Sequence, residues 1–305
     1  MNKEKHNPLK LNSISELHKL LGFPKPLHPL ISLLAYDGIK IDANVTSKWV
    51  TFNFYKIAFK NNFSGKMKYG QHYYDFDEGG MIFVSPNQLI RSDHEDNDYS
   101  GYSLLIHSDF IRNYPLAKNI KRFGFFSYSA NEALHLSQKE KEIILSILGN
   151  IERELNSNID DFSQDVVVSQ IETLLNYSNR FYKRQFITRK ATGSDLLTQM
   201  EQLLSAFFDN EETMNKGLPT VEYLAEQLNV SPRYLSDMLR SLTGQNAQQH
   251  IHEKLIEKAK EYLTATNLSV SEIAYQLGFE HSQSFNKLFK NKTNLSPLQY
   301  KRSFN

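Results

Sequence analysis

Two short stretches carry residues whose types and spacing suit contact with a nucleic acid. Gln283, Asn286, Lys287 and Lys290 recur at i, i+3, i+4 and i+7, so a helix there puts them on one face and Phe285, Leu288 and Phe289 on another. Amide side chains bond base edges and ammonium groups meet phosphate or guanine, which is what a helix lying in a major groove needs. Arg233, Ser236, Asp237 and Arg240 hold the same four positions 50 residues earlier. An ordinary solvated helix face would also read this way, so the surrounding elements must decide.

Those elements repeat. Val221, Leu224, Ala225, Gln227, Leu228 and Asn229 return 49 residues later as Val270, Ile273, Ala274, Gln276, Leu277 and Gly278. After one inserted residue, Leu235, Met238, Leu239, Arg240 and Thr243 are answered at a spacing of 50 by Phe285, Leu288, Phe289, Lys290 and Thr293. Asn229 and Gly278 are the residue types that best tolerate left-handed backbone, so both interhelical turns can close alike. Ser231-Pro232 supplies an N-cap and a first-turn proline. The reading is two helix-turn-helix units with polar-faced helices at 232–242 and 282–291. Between them residues 247–264 form one helix with Ile251, Leu255, Ile256, Ala259, Tyr262 and Leu263 inward. At ~1.5 Å per residue it spans roughly 27 Å, near the ~34 Å of one DNA turn.

The chain has 305 residues, 40% of them hydrophobic, which suffices for two domains with separate cores. Its formal net charge of +1 hides local clusters: five basic residues and no acid from His281 to Asn305, and again from Arg180 to Lys190. Such clusters on a neutral protein suit a polyanion met at defined places. The absence of cysteine excludes disulfide and thiolate chemistry. The polar start MNKEKHNPLK and the lack of any apolar run of ~18 residues predict a cytoplasmic protein without a membrane span.

The first half reads differently. After an arm with Ile14, Leu17, Leu20 and Leu21 at helical spacing, residues 30–110 hold short β-type runs rich in aromatic and β-branched residues, predicting a small antiparallel barrel or sandwich. Trp49, Phe52, Tyr55, Tyr69, Tyr73 and Tyr74 either fill its core or line a mouth whose phenols orient a small ligand. Two amphipathic helices follow: one from Ser137, with Glu140 at capping-box spacing, and one over 161–186. Their stripe predicts a hairpin that covers the β domain and joins a second copy through residues 137–180. ITRKATGSD (187–195) loses periodicity and reads as a linker between residues 1–186 and 196–305.

No metal, cofactor or catalytic site is expected. His72, His94 and His107 are scattered, and the one His-x-His pair, His250 and His252, falls on a helix where i and i+2 diverge. No phosphate loop, nucleophile elbow or pair of catalytic carboxylates appears.

The stretch IAYQLGFEHSQSFNKLFKNKTNLSPLQYKR, 273–302, resembles the C-terminal signature of the AraC/XylS family of bacterial transcription regulators, with IA, GF, S-x-F, FK, SP and YR-like elements in order. The likeness is close over 195–305. The first half is similar in architecture to that family's usual partner, a cupin-like β-barrel with a helical dimerisation hairpin. The fold class implied is α+β: cupin-like barrel and hairpin, then an all-α domain with two helix-turn-helix motifs.

The resemblance further implies a homodimeric regulator that enters consecutive major grooves of double-stranded DNA, with an activator in contact with RNA polymerase as one outcome it allows. A small effector in the barrel would gate it; alternatively a protein partner or abundance alone controls it, and the residues leave activation or repression open. Carried over, the base-reading positions are Arg233, Ser236, Asp237 and Arg240, then Ser282, Gln283, Asn286 and Lys287, with Lys290 on phosphate. Three residues depart from the pattern: Asp237 for a basic or amide residue, Asn294 for glycine, and Lys301 for arginine.

Overall fold

A computed structural model of the chain describes residues 8–36, 49–61, 63–69, 72–76, 79–91, 100–129, 132–157, 160, 162–188, 190–209 and 217–304. The chain divides into two compact units, Met1–Gln185 and Phe186–Asn305.

In the first unit β1 (Leu9–Leu11), β3 (Trp49–Phe52) and β8 (Ile90–Arg91) form one sheet. A second, antiparallel sheet has the order β10 (Leu134–His135), β7 (Gly80–Val84), β4 (Phe54–Lys60), β9 (Gly101–His107) and β2 (Ile31–Ala35). β5 (Phe63–Tyr69) and β6 (His72–Phe76) pair as a hairpin. The single run WVTFNFYKIAF is thus split at Asn53, whose N–H donates to the Leu11 carbonyl at 3.0 Å as the chain passes from one sheet to the other.

The expected cupin-like barrel is not closed among the described strands, which make three separate sheets. Two of these enclose a common core of Leu11, Leu34, Phe52, Phe54, Val84 and Leu105, sealed by Ile14 and Leu17 of helix α1 (Ile14–Leu20). Alternation alone does not say whether strands close on themselves or face one another across a core.

The opposite face of the five-stranded sheet carries Ile57, Phe59, Met81 and Phe83. After a short α2 (Leu116–Asn119), the hairpin of α3 (Gln138–Leu155) and α4 (Ser163–Thr188) follows. Tyr182 of α4 stacks on Phe125 with ring centroids 5.4 Å apart and lies 6.2 Å from Phe83. Ser178 faces Met81. The stripe on which self-association was expected, Ile144 to Ile151 and Val167 to Leu175, is buried within this unit. Among the described residues, the large apolar side chains that the hairpin leaves to solvent are Phe162, 71% exposed, Val166, 41% exposed, and, near the end of α4, Ile187, 50% exposed.

The start of α3 is held twice. Ser137 and Glu140 form the expected capping box, and the Glu140 carboxylate also accepts from Arg184 Nε at 3.0 Å and Nη2 at 2.6 Å. Arg184 Nη2 further donates to the His135 carbonyl at 2.6 Å, tying α4 to the strand before α3.

The second unit is helical: α5 (Lys190–Asp209), α6 (Val221–Gln227), α7 (Pro232–Thr243), α8 (Ala247–Ala265), α9 (Val270–Gln276), α10 (Ser282–Thr293) and α11 (Pro297–Arg302). The stretch read as a linker is taken up by the end of α4 and the start of α5, with Arg189 outside the described residues. Lys190, Ala191, Leu196 and Leu197 favour helix enough to carry Thr192 and Gly193 along.

The internal repeat is structural. Val230 N–H donates to Ala225 O and Phe279 N–H to Ala274 O, each at 3.0 Å, across turns whose Asn229 and Gly278 have φ of 55° and 88°. α7 and α10 both end on a left-handed residue, Gly244 and Asn294. Thr243 and Thr293 then bond back to Leu239 O and Phe289 O at 2.9 and 2.8 Å. α8 and α11 open on matching capping boxes, Asn246 with Gln249 and Ser296 with Gln299. The repeat therefore extends one helix beyond each helix-turn-helix. No helix among the described residues is long and apolar enough to cross a membrane.

Two substitutions test these joints. A Cβ on Gly278 would lie 2.7 Å from the Gly217 carbonyl group at a φ of 88°, so Gly278→Ala should lower stability by more than about 1 kcal/mol; an unchanged melting transition would refute the close approach. Glu140→Ala should cost about 1–3 kcal/mol, since it removes a cap and an arginine partner together. Ser137→Ala, which removes the cap alone, should cost about 1 kcal/mol; equal losses in urea titrations would show that the Arg184 contact contributes nothing.

Candidate nucleic-acid interface

α7 owes its start to the Ser231 hydroxyl, which accepts from Tyr234 N–H at 3.2 Å, and to Pro232 in its first turn. One side is buried through Tyr234, Leu235, Met238 and Leu239. Arg233 and Arg240 are exposed on the other, with Ser236 and Asp237 half-buried between them. α10 buries Phe285 and Phe289, and leaves Gln283, Asn286, Lys287 and Lys290 exposed and Ser282 half-buried. Each helix therefore offers the polar face expected from its spacing.

The faces differ in charge arrangement. On α7 the Asp237 carboxylate accepts from Arg233 Nε at 2.8 Å and from Arg240 Nη1 at 3.4 Å. Its side chain is 17% exposed against 47% and 54% for the arginines, so it lies between and beneath them. Asp237, expected to meet a base directly, is thus engaged within its own helix. On α10 the face holds amides and ammonium groups and no carboxylate.

α8 joins the two motifs, with Ile251, Leu255, Ile256, Ala259 and Leu263 buried and Tyr262 only partly so. Its histidines go separate ways: His250 Nε2 meets the Thr243 hydroxyl at 2.9 Å, and His252 Nε2 accepts from the Gln248 amide at 2.9 Å. Burial, then the Lys292 ammonium, lowers the His252 pKa. The neutral ring is favoured in the fold, and its contribution is present above the ordinary imidazole value and lost as pH falls through the lowered one.

Lys301, noted only as a departure from arginine, donates from Nζ to Thr266 O at 3.1 Å and Leu268 O at 2.7 Å. It thereby satisfies carbonyls just past the end of α8. The partners lie more than thirty residues away, so no local spacing signals this role.

The aromatic residues expected to line a pocket in the first unit do not share one surface among the described residues. Phe52 stacks on Phe54 with centroids 5.2 Å apart, inside the core between the sheets. Tyr55 takes the other face of β4, edge-on to Phe126 at 5.2 Å, so Phe52 and Tyr55 do not line one mouth. Trp49 is half-buried. The side chains of Tyr69, Tyr73 and Tyr74 lie outside the described residues.

Comparison with known proteins bears on the second unit. A helix-turn-helix domain family matches residues 224–303. The HTH-type transcriptional activator RhaS of Salmonella arizonae is 30% identical over 112 residues, 33% of this chain and 40% of that protein. An uncharacterised HTH-type transcriptional regulator of Escherichia coli, YijO, is 29% identical over 118 residues, 38% of this chain and 42% of that protein. Among solved structures, the C-terminal domain of the response regulator yesN from Fusobacterium nucleatum is similar at 33% identity and a TM-score of 0.29, covering 33% of this chain and 96% of that one. The chain thus spans less than half the length of these two curated relatives. The doubled motif, its left-handed turns and the two curated relatives agree on one conclusion: the second unit carries an AraC-type helix-turn-helix DNA-binding domain, similar to that of AraC/XylS transcription regulators.

Proposed function

We propose that the chain is a sequence-specific regulator that sets α7 and α10 into consecutive major grooves on one side of double-stranded DNA. The observation that carries this is the repeat itself, which presents two helices of the same orientation-setting construction with polar faces exposed. α8, 19 residues and about 28 Å at ~1.5 Å per residue, joins them at nearly the spacing of one DNA turn. Arg233, Ser236 and Arg240 read or grip the first groove, Ser282, Gln283, Asn286 and Lys287 the second, and Lys290 holds phosphate. Hydroxyl-radical footprinting of the full chain on selected DNA should protect two patches one turn apart on one face; a single patch would overturn the bipartite reading.

The first unit, on this reading, is a cupin-like regulatory domain that brings two copies together, and the product is an activator in contact with RNA polymerase. Phe162 and Val166, exposed side by side where the hairpin turns, support association there and not through the buried stripe. The description of RhaS as an activator supports that outcome.

Gating by a small effector is supported by Ser103 of β9, whose hydroxyl is fully buried and makes no hydrogen bond among the described residues. It shares a sheet face with Leu105 and sits opposite Ala58. A buried donor left without a partner costs free energy that a polar ligand atom would recover. The packed core around Phe52 favours the other reading, a purely structural first unit with control by a protein partner or abundance.

Two measurements follow. Lys290→Ala should weaken binding similarly on every sequence and make the salt slope shallower by about one; a loss confined to one sequence would mean a base contact. In melting experiments on the full chain, a true effector at ~100 times its dissociation constant should add about 2.7 kcal/mol. Ser103→Ala should diminish that gain, and no gain with any metabolite class would favour the structural reading.

A further inference from the structure

Asp237 separates the two reading helices chemically. Its carboxylate sits four residues after Arg233 and three before Arg240, and it holds both: Arg233 through Nε at 2.8 Å, Arg240 through Nη1 at 3.4 Å. The choice of Nε matters. An arginine has five N–H donors in a rigid fork, and a carboxylate on Nε leaves the terminal Nη1 and Nη2 groups as a free edge. That edge matches guanine, whose O6 and N7 accept two parallel bonds from one guanidinium.

We propose that Asp237 is a positioning residue that fixes Arg233 for bidentate reading of a guanine in the first groove, instead of itself reading a base. The proposal rests on α7 entering the major groove. With Arg233 already held, less side-chain freedom is lost on binding, and a misaligned base meets a guanidinium that cannot swing to a phosphate. The carboxylate also cancels one of the two positive charges of Arg233 and Arg240, so α7 carries less sequence-independent attraction than α10 with Lys287 and Lys290. Direct reading of a cytosine amino group fits poorly, because the carboxylate is 17% exposed and both of its oxygens already accept from arginine.

The test is selection from a randomised duplex library by the full chain, followed by sequencing of the bound fraction, with Arg233→Ala, Asp237→Ala, Asp237→Glu and the double Arg233→Ala/Asp237→Ala variant. Arg233→Ala should lose preference for one guanine by about tenfold or more. Asp237→Ala should weaken preference for that same guanine and raise affinity for random DNA. Asp237→Glu, which retains a carboxylate at that position, should restore most of the preference, and the double variant should be no worse than Arg233→Ala alone. If Asp237→Ala abolishes preference for a cytosine that Arg233→Ala keeps, the carboxylate reads a base and the proposal is wrong. Preferences untouched by any Asp237 variant, with an unaltered guanine loss in Arg233→Ala, would also overturn it. If Arg233→Ala leaves every preference intact, both the positioning role and the entry of Arg233 into the groove fall.

Discussion

The DNA-binding unit depends on one backbone constraint, imposed twice. In each helix-turn-helix the chain must turn within the short segment between its helices, 228–231 or 277–281, with an N–H returning to the carbonyl of a buried alanine, Ala225 or Ala274. A larger side chain at the alanine would hold the helices apart, and a residue that avoids positive φ would not close the turn. Asn229 and Gly278 meet the second condition by different means, one through tolerance of the left-handed region and one through the absence of a Cβ. Gly278 is under the tighter demand, since the backbone at Gly217 occupies the space a side chain would need. Everything the reading helices present outward follows from the angle these turns set.

This part of the fold was legible because its determinants are local. Ser231, Pro232, the two turn residues and the apolar triplets all act within a few positions of where they stand. The repeat made the inference stronger than either copy alone. The contacts of Asp237 also had a sequence signal, since arginines at i−4 and i+3 are within reach on a helix. Lys301 gave no such signal, because the carbonyls it caps come from a distant part of the chain.

The first unit was less legible, and for a physical reason. Strand runs announce themselves by alternation, but pairing and closure depend on contacts between distant strands. Asn53 interrupts what reads as one continuous strand, and the interruption is where two sheets diverge. Phe52 and Tyr55 read as members of one possible lining, although Phe52 lies in the core between the sheets and Tyr55 packs on Phe126 at the other face of β4. The hairpin stripe is buried as its spacing suggests, yet spacing could not say that Met81, Phe83 and Phe125 pack against α4 at Ser178 and Tyr182.

The connecting helix α8 acts as a protractor as well as a ruler. Each residue of a helix advances it by ~1.5 Å but turns it by about 100°, so the bearing between the two reading heads is far more sensitive to its residue count than their distance is. The capping box at Asn246 and the Lys301 clasp beyond Ala265 pin the two ends of that rotation. Divergence among proteins built on this plan would therefore accumulate in the side chains of the two polar faces and leave the number of residues in α8 unchanged, because a single insertion there would turn one face by about 100° against the other.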